Sequence, residues 1–357
     1  MMVDEENFCT SEAFAEFLAK SDAGPFYFDK NLINLFIDTV HHSPLTVVGG
    51  RFATGKTVLA EQFVEFIEQS GVETTAIQAS TQWSRKDDLL GSYSFENNEY
   101  NTTLFLNCLM AALVDRERQH YVVIDSIDSG IVKGFLTDVV VALSSNRPMP
   151  IHNESRCVPA SYAIPENRNL ICHDDCFSCF FAQKNFDSHN ISKNMTSFVP
   201  PHVAIPDNFH IIVTLAGETP VSGFEPWMID KIHWIYLPSI ASDQWIDHLS
   251  VFENLEKTNE VQVFLSELTS LFKEAKLHMG WRILRGMSQS LFYKKLVHHD
   301  SDGKKLDYSG PDQLFASKIF PLIASASLEA NQSGLIGFCE KYHLNYSLEL
   351  LNSLSNL

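Results

Sequence analysis

The sequence predicts an α/β fold with a parallel sheet, followed by an all-helical C-terminal domain. Two observations carry this. Short apolar, β-branched runs alternate with helical stretches up to about residue 240, the pattern of strands joined by crossover helices. From about Asp243 to the end the periodicity is helical. The boundaries follow: residues 1–240 for the α/β domain, with an insertion at about 146–207, and residues 241–357 for the helical domain. At 357 residues the chain is long enough for either part to bury a core.

The elements read in order as follows. Phe14, Phe17 and Leu18, then Leu32, Leu35, Phe36 and Val40, recur at helical spacing on either side of a turn at Ala23-Gly24-Pro25. His41-His42 is an exposed helix end ahead of Pro44, since no third metal ligand lies near in sequence. Leu45 to Val48 is a short buried strand, Val58 to Ser70 a helix and Glu73 to Gln78 a second strand. Leu104 to Val114 is a helix, Tyr121 to Ile124 a strand and Ile131 to Leu143 another helix. Residues 146–207 read as irregular, rich in proline, asparagine and histidine. Phe209 to Leu215 and Trp234 to Leu237 are strands, and His298 to Lys304 is a loop between later helices.

Composition excludes some classes of function. Twenty-six Lys+Arg stand against 44 Asp+Glu, a formal net charge of -18, so no basic surface for direct nucleic-acid binding is indicated. The most apolar stretches, such as Val139 to Leu143, are far shorter than the roughly 18–20 residues that span a bilayer. The acidic start, Met1 to Glu6, lacks the basic-then-apolar pattern of a signal peptide, so a cytoplasmic location is expected. In that reducing compartment the seven cysteines should be thiols or metal ligands.

Gly50-Arg51-Phe52-Ala53-Thr54-Gly55-Lys56-Thr57 matches G-x-x-x-x-G-K-[ST], between a predicted strand and a predicted helix. Glycines let the backbone curl so that its N–H groups point inward at phosphate oxygens. The helix start, through Val58, adds its positive end. Lys56 should reach the β- and γ-phosphates of ATP or GTP, and the Thr57 hydroxyl should hold Mg²⁺. A second apolar strand ends in Asp125, a second holder of Mg²⁺. Hydrolytic P-loop proteins commonly follow this acid with a glutamate that activates water; here Ser126 follows, a poor base without a partner. Asp128 could substitute as the base or could simply cap a helix.

Four of the cysteines, Cys157, Cys172, Cys176 and Cys179, fall in the irregular insertion. A segment of this length needs something to order it. Structural Zn²⁺ held by the four thiols, or by three of them and one histidine (His173 and His189 are near), would do so at tetrahedral geometry. Ordinary buried thiols are the other reading.

The ordered series of segments resembles the McrB-like branch of the AAA+ ATPases, named for the NTP-driven motor of a modification-dependent restriction system. Gln78 to Ser84 with Trp83, then Asp88-Leu89-Leu90-Gly91-Ser92-Tyr93, is similar to the family's tryptophan and "DLLGY" segment. Ile124-Asp125-Ser126-Ile127-Asp128 stands where the family has Asp-Glu-Met/Ile-Asn, and Thr214-Leu215-Ala216 where it has Thr-Val-Asn. Glu218-Thr219, Phe224, Pro226 and Asp230-Lys231 follow its "DETT…FSP…LDR" pattern. Gly280-Trp281-Arg282 is similar to its sensor-2 Gly-Tyr-Arg, and Lys318 to Pro321 to its "KILP" segment.

This resemblance implies an AAA+ domain with a helical lid and a nucleotide between them. It implies a homo- or hetero-oligomeric ring, a hexamer in the family, and assigns Arg282 to the nucleotide. Three departures strike at hydrolysis. The catalytic glutamate is Ser126, the sensor-1 asparagine is Ala216, and the arginine that reaches a neighbour's nucleotide is Lys231, which keeps charge but loses the planar fork. The expectation is a regulatory or scaffold subunit, in a restriction-like or antiviral defence complex, that binds nucleotide and hydrolyses it weakly or not at all. An active motor remodelling DNA or protein is the alternative. The stretch ahead of Gly50 is too short for a separate nuclease or DNA-reading domain, so an effector encoded separately is expected.

Overall fold

The structure, a computed structural model, describes residues 10–21, 28–69, 72–79, 83, 85–127, 129–145, 147–160, 198–216, 224–238, 259–274, 298–300, 303–305, 309–320 and 332–354. Packing divides the chain into two units, one of residues 1–17, 29–50 and 56–237, the other of residues 18–28, 51–55 and 238–357.

Up to residue 237 the described elements are α1 (Ser11–Lys20), α2 (Lys30–His42), β1 (Leu45–Gly50), α3 (Lys56–Glu68), β2 (Glu73–Gln78), α4 (Asp87–Leu90), β3 (Ser92–Ser94), β4 (Glu99–Asn101), α5 (Leu104–Val114), β5 (His120–Ile127) and α6 (Ser129–Ser145). There follow the two-residue strands β6 (Met149–Pro150), β7 (Val158–Pro159), β8 (Phe198–Val199) and β9 (His202–Val203), then β10 (Phe209–Leu215), α7 (Pro226–Ile229) and β11 (His233–Leu237).

The main sheet has five strands in the order β11-β1-β10-β5-β2, and every neighbouring pair is parallel. β1 and β10 are buried along their whole length, as expected for parallel strands covered on both faces. Strand alternation sorts their side chains between two layers. Leu45, Val47, Val122, Ile124, Phe209, Ile211, Val213 and Leu215 join one core with residues of α5 and α6. The alternate residues face the other way: Tyr121 meets Phe63 of α3, ring centroids 5.5 Å apart, and Phe63 meets Phe36 of α2 at 5.3 Å. Phe14 of α1 packs edge-on against Phe63 at 5.8 Å, which ties the first helix to the same layer.

The β3–β4 hairpin between α4 and α5 has no counterpart in the sequence reading. Its signal is Tyr93 and Tyr100 flanking an Asn97-Asn98 turn, with Asn98 in the left-handed region at φ +53°. The stretch expected to be irregular contains two antiparallel pairs, β6 with β9 and β7 with β8. The Ala23-Gly24-Pro25 turn lies outside the described residues.

The second unit carries α8 (Asn259–Glu274), β12 (His298–Asp300), β13 (Gly303–Lys305), α9 (Ser309–Leu314) running into a π-helical turn at Phe315–Ile319, α10 (Gln332–Lys341) and α11 (Asn345–Leu354). β12 and β13 form an antiparallel pair, so the segment read as a loop is a small hairpin. Phe264 of α8 packs against Tyr342 at the end of α10, with centroids 4.7 Å apart. Asp312 of α9 accepts the backbone N–H of Tyr346 at 2.9 Å and of Ser347 at 2.8 Å, capping the start of α11. Among the described residues no helix is long and apolar enough to cross a membrane.

Candidate functional site

The glycine-rich loop leaves the C-terminal end of β1 and enters α3, the context its motif requires. Three of its residues have positive φ: Gly50 at +140°, Ala53 at +53° and Gly55 at +97°. Repeated left-handed residues turn successive N–H groups inward, the basis of an anion-binding concavity. Thr54 Oγ1 donates to the Arg51 carbonyl oxygen at 2.9 Å, closing the loop on itself. A Cβ at Gly55 would come within 3.0 Å of the Phe28 ring. Lys56, at the first position of α3, is buried, and its Nζ donates to the Gly50 carbonyl oxygen at 2.9 Å. The ammonium therefore bends back to the strand end where the loop begins. Thr57 and Val58 follow in the first turn of α3.

Asp125 lies near the end of β5 and is buried. Alternation places it, with Tyr121 and Val123, on the α3 face of the sheet. Its backbone carbonyl accepts from Ala79 N at the end of β2, at 3.1 Å. Both carboxylate oxygens are engaged: Thr214 of β10 donates to Oδ1, and Ser126 Oγ donates to Oδ2 at 2.8 Å. Ser126 N donates to Thr214 Oγ1 at 2.8 Å. Ser126 has φ +58°, an uncommon conformation for a residue with a Cβ.

This conformation belongs to a β-bulge. Ile124 pairs with Val213 and Ile127 with Leu215, so Asp125 and Ser126 together oppose Thr214. In a regular strand Ser126 would point away from Asp125. The bulge turns it back, and its hydroxyl reaches the acid beside it. The sequence reading singled out Ser126 as the residue in the glutamate position; the structure puts its hydroxyl against the Asp125 carboxylate.

Two neighbours of Asp125 carried no role in the sequence reading. Thr214 is almost fully buried, at 1% exposure, and requires the β5–β10 pairing to be found. Glu61 follows Thr57 by one helical turn on α3. Glu61 is exposed as a residue, yet desolvation at its carboxyl, then the charge of Asp125, raise its pKa above the ordinary carboxylate value. That coupling was readable from the i, i+4 spacing only once α3 was known to face Asp125.

The remaining assigned residues stand as follows. Lys231, just after α7, is exposed and pairs with the adjacent Asp230 at 2.9 Å. Ala216 follows β10, and its N–H donates to the Ile127 carbonyl at 2.8 Å. Asp128 and Arg282 lie outside the described residues, as do Cys172, Cys176 and Cys179. Cys157 is half-buried just ahead of β7. Elsewhere, Cys339 is buried and its thiol is pushed up to about 12 by burial and by the Asp312 charge, whereas half-buried Cys108 donates to Thr75 Oγ1 at 2.8 Å.

The donor set suits a nucleotide with Mg²⁺. A glycine-rich loop with positive-φ residues and a lysine match phosphate oxygens, and a carboxylate held at both oxygens with a helix-start threonine matches a hard cation. No protein-family model matches the chain, and no curated protein matches it.

Proposed function

We propose that this chain is a nucleotide-binding AAA+ subunit of the McrB-like kind. It binds ATP or GTP with Mg²⁺ in the Gly50–Thr57 loop, oligomerises, and acts as a regulatory or scaffold component with weak or absent hydrolysis. Its working partner is a separately encoded effector in a restriction-like or antiviral defence complex. The observation that carries the nucleotide reading is the Lys56-bearing loop at the end of β1 together with buried Asp125 on the α3 face of the same sheet. The sheet order supports it too: β10 lies between β1 and β5, so the loop and Asp125 rise from strands one apart.

The scaffold reading is supported by Ser126. A neutral hydroxyl stands there where a carboxylate would be needed, and at neutral pH a hydroxyl is a weak base toward water. Mg²⁺ would supply charge neutralisation on the phosphates, held by Thr57 and Asp125. The ring, and Lys231 as the cation offered to a neighbour, come from the family resemblance; Lys231 is exposed, as that role requires.

Glu61 favours the second reading, an active motor. Desolvation, then the charge of Asp125, raise the pKa of its carboxyl, which makes it a stronger base than an ordinary carboxylate beside the proposed metal site. Phosphate release with ATP and with GTP separates the two. The wild type is compared with Lys56→Ala and Ser126→Glu. A silent wild type with gain of activity in Ser126→Glu supports the scaffold. Turnover by wild type that Lys56→Ala abolishes establishes the motor. A wild type that binds neither nucleotide overturns both.

A further inference from the structure

We infer that Thr214 is a positioning residue for the metal-side acid: through one hydroxyl it pins the bulge and aims the Asp125 carboxylate. This rests on the nucleotide reading of the Gly50–Thr57 loop.

A bulge in a parallel pair leaves one residue outside the ladder. Here that residue is Ser126, because the register passes from Ile124↔Val213 to Ile127↔Leu215 with Thr214 alone opposite. Its amide needs an acceptor, since a buried unsatisfied N–H costs about 1–3 kcal/mol. Thr214 Oγ1 supplies it at 2.8 Å. With that N–H accepted, the hydroxyl's single proton is directed to Asp125 Oδ1. Donor and acceptor roles of one group are thus both assigned. Ser126 Oγ, returned to the same side by the bulge, fixes Oδ2 at 2.8 Å.

The carboxylate is therefore held at both oxygens, one from its own strand and one from the next. Each carboxylate oxygen can accept more than one partner, so neither of these two bonds by itself closes its oxygen to a cation or its water. Thr214 is buried at 1% exposure, too deep to touch a ligand itself. Its action is through Asp125. β-Branching stiffens its χ1 in a strand, which suits a hydroxyl that must stay aimed.

The test uses the full chain, a fluorescent ATP or GTP analogue, and titrations in EDTA and in saturating MgCl2. Thr214→Val keeps the shape and removes the hydroxyl; Thr214→Ser keeps the hydroxyl. Wild type should bind more tightly with Mg²⁺. Thr214→Val should lose about tenfold or more of that tightening, the usual effect of removing a group that orients a metal-binding side chain, while its affinity in EDTA stays within about threefold. Thr214→Ser should recover most of the tightening. Unchanged Mg²⁺ tightening in Thr214→Val overturns the inference, and so does an equal loss in EDTA, the mark of a general structural role. Absence of nucleotide binding by wild type sinks the nucleotide reading and the inference with it; the two failures are therefore distinguishable. If Thr214→Val does not fold, hydrogen exchange on wild type decides: the Ser126 amide should be protected like a ladder amide, and exchange at the rate of an exposed loop overturns the inference.

Discussion

The Tyr121 ring stacks on the His210 imidazole, with centroids 4.8 Å apart and planes inclined by 18°. His210 is buried in β10; its Nδ1 lies 3.1 Å from the Ser43 carbonyl oxygen and its Nε2 2.9 Å from Gln119 Oε1. Both partners are acceptors, so the neutral ring donates from Nδ1 to Ser43 and takes its second bond from Gln119 once that amide is turned to present its NH2 to Nε2. His41 approaches the same tyrosine, Nδ1 3.1 Å from its hydroxyl. The pair His41-His42 is thus not uniformly an exposed helix end: His41 is packed, His42 exposed. Burial lowers the His210 pKa, the Ser43 carbonyl opposes that, and His41 adds to the lowering.

The consequence is a pH dependence of stability. The folded pKa lies below the ordinary histidine value of 6.5, so between the two the unfolded chain binds more protons. The stabilisation is complete above 6.5 and is lost as pH falls through the lower folded value. Urea melts of wild type should therefore give lower stability at about pH 5.5 than at about pH 7.5. In His210→Gln that difference should shrink. An equal difference in both proteins would show that other groups carry it.

Two glycines should respond in opposite directions to alanine. Gly91 has φ +92°, and a Cβ there would meet the Asn101 carbonyl oxygen at 2.2 Å and the Tyr100 ring at 2.9 Å. Its own carbonyl accepts from Tyr100 Oη at 2.9 Å, so little can give way. Gly91→Ala should cost about 3 kcal/mol or more. Gly337, inside α10, has nothing within 4 Å of such a Cβ. Gly337→Ala should stabilise by up to about 1 kcal/mol. Denaturant midpoints measure both, and a neutral Gly91→Ala would mean that the hairpin is not held against α4.

The loop from Gly50 to Thr57 and the strands Phe209–Leu215 and Glu73–Gln78 were legible because they are local: a motif between a β-branched run and a helix, and apolar runs of strand length. Asp125 was legible for the same reason. The bulge at Asp125-Ser126 was not, because it exists only as a register difference against Thr214, far away in sequence. Without it, alternation sends Ser126 to the opposite face from Asp125. The β3–β4 hairpin was hidden by weak strand propensity in Ser92–Ser94 and Glu99–Asn101. Its stability comes from Tyr100, buried and bonded to the Leu90 and Gly91 carbonyls, a tertiary contact that no periodicity announces. The coupling of Glu61 to Asp125 likewise needs the helix to be seated on the sheet.

The positive φ values at Ala53 and Ser126 give a contrasting pair. A left-handed conformation costs an L-residue about 1–2 kcal/mol, and glycine escapes it while losing more entropy on folding. Ala53→Gly, at φ +53°, should be neutral to stabilising by about 1 kcal/mol. Ser126→Gly relieves the same strain at φ +58° but deletes the hydroxyl donor to Asp125. A hydrogen bond to a charged group contributes about 1.5–3 kcal/mol, so Ser126→Gly should be destabilising on balance. Thermal melts of both variants measure the sign. Stabilisation of the same size at both sites would mean that the Ser126 hydroxyl holds nothing.

Lys56 is the sharpest test of the loop itself. A ligand that binds only the folded chain stabilises it by RT ln(1 + [L]/Kd), about 2.7 kcal/mol at a hundredfold excess over Kd. The Lys56 ammonium is buried and hooked to the Gly50 carbonyl, so it is already held at the mouth of the loop. Anionic phosphate oxygens in the loop would attract this ammonium more strongly than a neutral carbonyl oxygen does, because both partners would then carry charge. Lys56→Ala should then weaken ATP or GTP binding by about tenfold or more, which removes about 1.4 kcal/mol from the nucleotide-induced stabilisation at fixed concentration. The measurement is the shift in melting temperature on adding Mg²⁺ and nucleotide to each protein, each referred to its own ligand-free melt. Referring each variant to itself removes any change in intrinsic stability from the loss of a buried side chain. A shift of equal size in wild type and Lys56→Ala would mean that the phosphates do not lie where the loop would hold them.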